Sequence, residues 1–289
     1  MTKWTPERLP DLTGRTVIVT GASSGIGLAA ARRLAARGAR VIAAVRDLEK
    51  GRRVIGFPAD IRHLDLADLA SVRAFAATVE APVDALVNNA GVMAVPLQRT
   101  KDGFEMQIGT NHLGHFALTG LLLGRITDRV VNVSSTAHRM GRIRLDDLNW
   151  ERGYRRWPAY GQSKLANLLF TSELQRRLAA AGSRVRALAV HPGYAATALQ
   201  SKTESAVQDL FMRIANRTIA QSEDQGSWPT LFAIAEDVPG DSFIGPDGPG
   251  QSRGYPHPVG RSRAAQDAET ARRLWELSER LTGVTFDLR

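Results

Sequence analysis

A glycine-rich turn between two short apolar segments constrains the fold of this chain more than any other feature of its sequence. Residues 15–20 form a β-branched run, a glycine-containing turn follows, and residues 26–37 have the pattern of a helix. Gly38 stands where helices commonly end, and a second apolar run occupies residues 40–45. A strand, a helix and a strand with such short connections predict a right-handed crossover between parallel strands.

Further apolar runs continue this alternation along the chain. The additional strand candidates are residues 58–64, 83–88, 129–134, 184–190 and 241–244. They predict an α/β fold, namely a single Rossmann-type doubly wound domain over residues 1–289 with about seven parallel strands and helices on both faces. A chain that is 43% hydrophobic can bury one core of this size. The Pro- and Gly-rich residues 245–260 are expected to form a surface loop before a final helix at residues 264–281.

The composition excludes several classes of chemistry and location. The chain has no cysteine, which excludes disulfides, thiolate nucleophiles and thiolate metal sites, and we expect no metal. Its first residues lack the apolar core of a signal peptide, so we expect a cytoplasmic protein. The longest apolar stretch, residues 116–123, is far shorter than the roughly 20 residues that span a bilayer, and we expect no membrane span.

The positive charge does not indicate a nucleic-acid partner. The formal net charge is +9, but the arginines are scattered over helix-like stretches and form no basic run interleaved with aromatic residues. We interpret them as solvated helix faces and expect no nucleic acid among the partners.

The glycine turn suggests a ligand. In a strand-to-helix junction, one glycine permits the tight turn, another lets the backbone approach a pyrophosphate, and the helix N-terminus attracts phosphate charge. The alternative is a purely structural turn. The position of Gly21, Gly25 and Gly27 at the first strand-to-helix junction favours the dinucleotide-binding interpretation.

A tyrosine and a lysine four residues apart form the second informative pattern. Lys164 is the only lysine between Lys101 and Lys202, and it follows Tyr160 by four residues. On a helix this spacing places both side chains on one face, where the ammonium is expected to hold the pKa of the Tyr160 phenol below its usual value. A tyrosine with such a pKa can act as general acid and base near neutral pH.

Together these motifs resemble one enzyme family. Thr20-Gly21-x-x-x-Gly25-Ile26-Gly27, Asn88-Asn89-Ala90-Gly91 and Tyr160-x-x-x-Lys164 stand in the order typical of the short-chain dehydrogenase/reductase family. Residues 110–116, 131–135, 160–167 and 271–275 resemble, more narrowly, the retinol-dehydrogenase-like branch of that family.

The resemblance implies a catalytic group made of Asn111, Ser135, Tyr160 and Lys164. Tyr160 would exchange a proton with an alcohol or carbonyl while a hydride moves to or from nicotinamide, and Ser135 would hydrogen-bond the same oxygen. Lys164 would hold the nicotinamide ribose, and Asn111 would hold a helix and a water that relays protons. Ser134 competes for the serine role and is expected to face the packed sheet or a cofactor edge.

The resemblance also implies cofactor-binding residues beyond Tyr160 and Lys164. They are Gly21, Ser23, Ser24, Gly25, Ile26, Arg46, Asp65, Leu66, Asn89, Ala90, Gly91, Pro192, Gly193 and Thr197. For Asp65 the alternative is a helix N-cap, and for the Asn89 segment it is an ordinary turn after a strand. His191 is expected to be a packed residue at a strand end.

The residue after the second strand selects the dinucleotide. An acid at this position binds the ribose 2′-hydroxyl of NAD, whereas an arginine accommodates the 2′-phosphate of NADP. The chain has Arg46 there, and Asp47 stands one place late and is expected to cap the next helix. We therefore predict NADP(H), with NAD(H) less favoured, and with Arg52 or Arg53 as additional phosphate partners.

The predicted activity is an NADP(H)-dependent alcohol–carbonyl oxidoreductase acting on a small, apolar molecule. The alternatives are a non-catalytic dinucleotide-binding sensor or interaction protein and a sugar-nucleotide epimerase or dehydratase. Residues 138–158 and 194–226 are expected to lie on the substrate side, although the aromatic residues of the first segment are equally explained by loop packing. The helix after Tyr160 leaves the choice between a monomer and a homo-oligomer open.

Overall fold

One twisted sheet organises the part of the chain that the structure describes. This structure is a computed structural model that describes residues 3–193 and 222–288. Within these ranges, eight strands are arranged in the order β3-β2-β1-β4-β5-β6-β7-β8. The strands are β1 (Thr16–Thr20), β2 (Arg40–Val45), β3 (Asp60–His63), β4 (Val83–Asn88), β5 (Ile126–Val133), β6 (Arg186–Val190), β7 (Phe243–Pro246) and β8 (Pro256–Pro258).

Helices cover both faces of this sheet. They are α1 (Gly25–Ala36), α2 (Leu48–Val54), α3 (Leu69–Ala77), α4 (Met106–Ile108), α5 (Gly114–Leu122), α6 (Arg156–Ala180), α7 (Glu223–Ala235) and α8 (Ala268–Thr282). Alternate residues of β1 enter opposite layers: Val17 and Val19 pack with α1 and α7, whereas Ile18 packs with α3, α5 and α6. This alternation is the consequence of strand geometry, and it confirms the predicted doubly wound fold.

The eighth strand corrects the sequence prediction of about seven parallel strands. The pairs from β3 to β7 are parallel, but β8 runs antiparallel to β7 and pairs Gly245 with His257. Residues 245–260 were expected to be a loop because they are rich in proline and glycine, and Pro256 and Pro258 are the two end residues of the short strand. Proline cannot donate to a central ladder, but it is tolerated on an edge strand, and β8 occupies an edge of the sheet.

Helix α6 is largely covered by its own chain. The residues from Ala159 to Thr171 are all buried, and α6 packs against α8 and β6. The choice between a monomer and a homo-oligomer therefore does not depend on this buried part of α6. No helix within residues 3–193 and 222–288 is long and apolar enough to cross a membrane.

An aromatic cluster joins the end of the chain to the helices beside the sheet. Trp275 of α8 is 2% exposed, and its ring centroid lies 5.1 Å from that of Phe116 on α5 and 5.8 Å from that of Phe170 on α6. Phe286 contacts Trp275 in a tilted arrangement at a centroid distance of 4.3 Å. The C-terminal helix therefore packs against α6, which carries Tyr160, and against α5, which directly follows the turn that contains Asn111.

Candidate active site

The residues singled out by their sequence motifs converge on the carboxyl ends of the parallel strands. Strand β1 continues through α1 to β2 on one side, while β4 lies on its other side. The chain therefore changes direction between β1 and β4, and the crevice at such a switch point is where open α/β sheets bind ligands. The glycine turn follows β1, and Asn89 follows β4.

The glycine turn lies too close to its neighbours to accommodate side chains. Gly21 and Gly25 have φ angles of +70° and +57°, which favour glycine. A Cβ at Gly21 would lie 2.9 Å from the Cα of Ala90, and a Cβ at Gly27 would lie 2.4 Å from Nδ2 of Asn89. The turn and the Asn89 segment are thus in close contact, and both require small residues.

The start of α1 is suited to an anion. Ser24 is its N-cap residue and makes no side-chain capping hydrogen bond to the described residues, and the first turn of α1 carries no acidic residue. Ser23, Ser24 and Ile26 are half-buried beside this turn. Unpaired N–H groups at a helix N-terminus bind phosphate well, so the donor set fits the pyrophosphate of a dinucleotide.

Gly91 links the loop after β4 to the proposed catalytic residues. A Cβ at Gly91 would lie 2.9 Å from Oδ1 of Asn111 and 3.6 Å from Nζ of Lys164. Asn111 lies in a π-helical turn, Gly109–Leu113, between α4 and α5. Its Oδ1 accepts from the Val92 N–H at 2.8 Å, and its Nδ2 donates to the Val92 carbonyl at 2.9 Å and to Oγ of Ser163 at 2.9 Å.

Tyr160 and Lys164 are both buried on one face of α6, as their spacing predicts. Lys164 Nζ lies 5.8 Å from the centroid of the Tyr160 ring and donates to the Val133 carbonyl at 3.1 Å. Burial lowers the pKa of Lys164 to about 8. Burial also raises the pKa of Tyr160 to about 12, and a hydrogen bond with Ser135 opposes part of that rise.

The pKa of Tyr160 therefore differs from its sequence expectation. We expected the ammonium of Lys164 to lower the pKa of Tyr160. In the protein without cofactor, however, the loss of solvent around the phenol raises this pKa by more than the hydrogen bond with Ser135 lowers it. The phenol is consequently protonated at neutral pH and is suited to donate a proton.

The two adjacent serines face different ways. Ser134 is buried and donates through Oγ to the Lys164 carbonyl at 2.7 Å. Ser135 is half-buried, its Oγ accepts from the Ala137 N–H at 3.1 Å, and it hydrogen-bonds Tyr160. The geometry favours Ser135 over Ser134 as the partner of a substrate oxygen.

Arg46 is exposed at the carboxyl end of β2, next to the strand that leads into the glycine turn. Asp47 is the N-cap of α2 and accepts from the Lys50 N–H at 2.9 Å, as expected. Of the two additional arginines, Arg52 forms an ion pair with Glu49 at 2.6 Å, which competes with a role in phosphate binding.

Asp65, in the segment after β3, is not the helix N-cap that was considered as its alternative role. Asp68, not Asp65, is the N-cap of α3, and it accepts from the N–H groups of Ala70 and Ser71. Asp65 instead accepts from the Ala67 N–H at 2.9 Å within its own turn. Its neighbour Leu66 is buried against Gly114, where a Cβ would lie 2.5 Å from the Leu66 carbonyl oxygen.

The segment after β6 is described only in part. His191 is fully buried, its ring centroid lies 5.0 Å from that of Phe243, and its Nδ1 accepts from the Gly193 N–H at 3.2 Å. This is the packed position expected for it. Pro192 and Gly193 follow directly, whereas Thr197 and residues 194–221 of the expected substrate-side segment lie outside the described residues.

Residues 138–158 contain both packed and exposed hydrophobic side chains. Trp150 is 7% exposed and lies under the Arg144 guanidinium at 4.3 Å, which is loop packing. Met140 and Trp157 are 59% and 41% exposed. The Trp157 ring centroid is 6.1 Å from that of Tyr160, so this part of the segment borders the proposed catalytic tyrosine.

Three polar residues beside the site were not assigned a role from the sequence. Thr20 Oγ1 accepts from the N–H groups of Asn89 and Ala90, both at 2.9 Å. His115 Nε2 lies 2.9 Å from the same oxygen, and Ser163 receives the hydrogen bond from Asn111. Thr20 and His115 lie inside the motifs that carry the family resemblance, so their position in those motifs could have indicated that they belong to the site.

Within residues 3–193 and 222–288, no group of three or more His, Asp or Glu side chains could hold a metal ion. The open N–H donors at α1, the tight backbone approach at Gly21 and the buried ammonium at Lys164 are polar features of the crevice that suit an organic cofactor.

Comparison with known proteins identifies relatives of this chain. Residues 15–208 match the sequence model of the family described as short chain dehydrogenase. Human retinol dehydrogenase 13 is 45% identical over 94% of this chain and 86% of its own length. This similarity confirms the predicted likeness to the retinol-dehydrogenase-like branch.

Solved structures with the same fold include two informative neighbours. An uncharacterised protein from Mycobacterium paratuberculosis is 56% identical, with a TM-score of 0.86 over 99% of this chain and 100% of its own. An NAD(P)-dependent gluconate 5-dehydrogenase from Beutenbergia cavernae, solved with NADP at low occupancy, is 29% identical, with a TM-score of 0.59 over 78% of this chain and 91% of its own.

Proposed function

Because the chain belongs to the short-chain dehydrogenase family and is an oxidoreductase of that family, we propose that it interconverts an alcohol and a carbonyl with NADP(H). We propose a small, apolar substrate and Tyr160 as general acid and base. The observation that carries the proposal is a buried Tyr160 that hydrogen-bonds Ser135 and lies beside the buried ammonium of Lys164.

Each member of the catalytic group has a role that follows from its contacts. In the reductive direction Tyr160 donates its phenol proton to the carbonyl oxygen, and in the oxidative direction the phenolate takes the proton back. Ser135 hydrogen-bonds the same oxygen and stabilises the charge that develops there. When bound, the nicotinamide supplies or takes up the hydride.

Lys164 and Asn111 assist Tyr160 without exchanging a proton with the substrate. The ammonium of Lys164 binds the nicotinamide ribose and favours the phenolate once the reaction has removed the proton. Asn111 ties the loop at Val92 to Ser163 of α6 through its side-chain amide, which fixes the distance between the cofactor loop and the catalytic helix. A water on Lys164 that relays protons to solvent completes this proposal.

The proposed cofactor residues are grouped by the part of the dinucleotide that each is proposed to contact. The proposed pyrophosphate site is the start of α1, and Arg46 is the proposed partner of the 2′-phosphate. Asp65 and Leu66 are proposed to bracket the adenine. The remaining proposed contacts are Asn89, Ala90 and Gly91 on the adenosine side and Pro192, Gly193 and Thr197 at the nicotinamide amide. The choice of NADP(H) over NAD(H) rests on Arg46, while the Beutenbergia cavernae relative is described as NAD(P)-dependent and was solved with NADP.

The proposed substrate is apolar because Met140 and Trp157 expose hydrophobic surface near the start of α6, where Trp157 lies beside Tyr160 and Met140 lies beside Gly161. Residues 138–158 and 194–226 are proposed as the substrate-side segments of one functional unit over residues 1–289. The human relative is named for retinol, so retinoids belong in the substrate screen together with aliphatic and aromatic aldehydes, ketones and alcohols.

A carbonyl and alcohol screen that follows NADPH absorbance tests the reaction, and Tyr160→Phe tests its mechanism. The substitution should lower turnover by about 10²-fold or more and leave NADPH binding largely intact. Tyr255→Phe, which alters a tyrosine on the loop after β7, is the matched control and should retain turnover. Wild-type turnover in Tyr160→Phe would refute the mechanism, and tight NADPH binding without any turnover of wild-type protein would favour a cofactor sensor.

The cofactor preference is tested at Arg46. Loss of a charged hydrogen-bond donor to the 2′-phosphate should raise the NADPH KM of Arg46→Ala by roughly tenfold to a hundredfold and leave the NADH KM unchanged. Arg40→Ala, at the opposite end of β2, is the control and should change neither value. Equal kcat/KM for NADPH and NADH in wild-type protein would refute the preference.

Cell fractionation tests the predicted cytoplasmic location, and light scattering tests the oligomeric state.

A further inference from the structure

The hydroxyl group of Thr20 has more polar neighbours than a freely rotating hydroxyl can serve. Among the described residues, Oγ1 lies 2.9 Å from the N–H nitrogens of both Asn89 and Ala90, 2.9 Å from Nε2 of His115 and 3.3 Å from the Val87 carbonyl oxygen. A hydroxyl has two lone pairs and one hydrogen. The two N–H groups take both lone pairs, so the hydrogen is left for His115 or, at a longer distance, for Val87.

The tautomer of His115 decides between these two acceptors. Its Nδ1 lies 3.0 Å from the carbonyl oxygen of Asn111, which can only accept, so Nδ1 must carry the hydrogen. Burial lowers the pKa of His115 to about 4, and the ring is therefore neutral near pH 7. Its Nε2 is then a bare acceptor, and it receives the Thr20 hydroxyl hydrogen.

We propose that His115 is a positioning residue that fixes the orientation of the Thr20 hydroxyl and thereby joins the loop at Asn89 and Ala90 to the π-helical turn of Asn111. His115 is 2% exposed and acts through its two neighbours. The Thr20 hydroxyl then accepts from the N–H groups of Asn89 and Ala90 and donates to Nε2 of His115, whose Nδ1 donates to the Asn111 carbonyl. The inference rests on the proposed function in one respect, because the Asn89 loop is taken to contact the cofactor.

Two substitutions at His115 separate its two hydrogen bonds. In His115→Gln the longer amide reaches the position of Nε2 and keeps an acceptor for Thr20, whereas in His115→Asn the shorter amide reaches the position of Nδ1 and keeps only the donor to Asn111. In His115→Asn the Thr20 hydrogen must turn to the more distant Val87 carbonyl. The Thr20 hydroxyl, which accepts from the Asn89 and Ala90 N–H groups, is then oriented by a weaker hydrogen bond. We therefore expect a modest loss of protection in the Asn89 loop.

Amide hydrogen exchange tests the inference without any cofactor. Exchange at Asn89 and Ala90 should become about fivefold faster in His115→Asn, the equilibrium effect of one weakened buried hydrogen bond, and should stay within about twofold of wild type in His115→Gln. His112→Asn is the matched control, because His112 is also buried, lies in the π-helical turn directly before α5 and hydrogen-bonds Ser278 of α8 instead of Thr20. It should leave exchange at Asn89 and Ala90 unchanged.

The NADPH dissociation constant should follow the same order, with about a fivefold increase in His115→Asn and no more than about twofold in His115→Gln. Equal effects of the two variants on exchange, or no effect of His115→Asn, would overturn the inference. Nitrogen NMR of the histidine rings in wild-type protein is a test that needs no variant: hydrogen on Nδ1 of His115 supports the inference, and hydrogen on Nε2 overturns it. Failure of wild-type protein to bind NADPH would refute the proposed function and leave the exchange result standing.

Discussion

Replacing Lys164 with methionine should make the folded protein more stable at neutral pH while it abolishes the proposed activity. Lys164 is 5% exposed, and burial lowers its pKa from 10.5 to about 8. One pKa unit corresponds to about 1.4 kcal/mol, so keeping the ammonium buried costs the folded state roughly 3 kcal/mol below pH 8.

The sign follows from proton binding in the two states. Between pH 8 and pH 10.5 the unfolded chain holds the lysine proton more firmly than the folded chain does, so this lysine makes stability rise with pH across that interval. Below pH 8 both states are charged and the folded state bears the full cost. A methionine of similar length removes that cost at every pH.

The hydrogen bond that Lys164 makes offsets only part of the gain. Its Nζ donates to the Val133 carbonyl at 3.1 Å, but Nδ2 of Asn167 donates to the same oxygen at 3.1 Å. The carbonyl therefore keeps a partner in Lys164→Met. After subtracting about 1 kcal/mol for the lost bond, we expect the free energy of unfolding to rise by roughly 2 kcal/mol at pH 7.

Denaturant unfolding at pH 7 and pH 10 measures the effect on stability, with Lys101→Met as the control. Lys101 has a side chain that is 73% exposed, so its replacement should bring no stabilisation. NMR of labelled lysine ε-carbons measures the pKa directly, because the chain has five lysines. One resonance should titrate near pH 8 and be absent from Lys164→Met. A less stable Lys164→Met protein, or five resonances that all titrate above pH 10, would refute the reasoning.

Three further predictions follow from the same structure. Gly27→Val should abolish NADPH binding, measured by fluorescence titration, because a Cβ there would lie 2.4 Å from a neighbouring asparagine amide; unchanged affinity would contradict the close approach. Ser135→Ala should lower kcat by about tenfold or more, whereas Ser134→Ala should lower the free energy of unfolding by about 1 kcal/mol and retain most of kcat; the opposite pattern would reverse the serine assignment. Burial lowers the pKa of His112 and His191 to about 3, so the unfolded chain binds protons at these residues before the folded chain does as pH falls below 6.5. Each histidine should therefore lower the free energy of unfolding by roughly 1 kcal/mol between pH 7 and pH 5.5. Calorimetry measures this change, and a free energy of unfolding that is constant over this pH range would contradict it.

Much of the fold could be predicted because its signals are local. The strand at residues 40–45 and the strand at residues 83–88 have the bounds expected from their apolar runs, and α1 ends before Gly38 as expected. Strand β8 could not be predicted in this way. Its sequence, Pro256–Pro258, has no strand propensity of its own, and its conformation comes from pairing with β7.

The candidate site shows the same division between local and non-local information. The spacing of Tyr160 and Lys164 was sufficient to place both on one helix face. The raised pKa of Tyr160 was not predictable, because it depends on how completely other elements cover the phenol. The Asp65 alternative failed for a smaller reason: the sequence offers Asp65 and Asp68 within one turn, and only the path of the chain shows that Asp68 caps α3.

The aromatic contact between Trp275 and Phe170 has a consequence for the timing of folding during synthesis. Trp275 follows Lys164 by 111 residues. The ribosome therefore makes Asn111, Ser135, Tyr160 and Lys164 well before it makes Trp275, which packs against Phe170 of α6. At about 5–20 residues per second, this delay is roughly 5–20 s. During that interval the apolar surface of α6 that faces Trp275 has no native cover. Chaperone binding to nascent chains should therefore be strongest after α6 has emerged and should end when α8 docks.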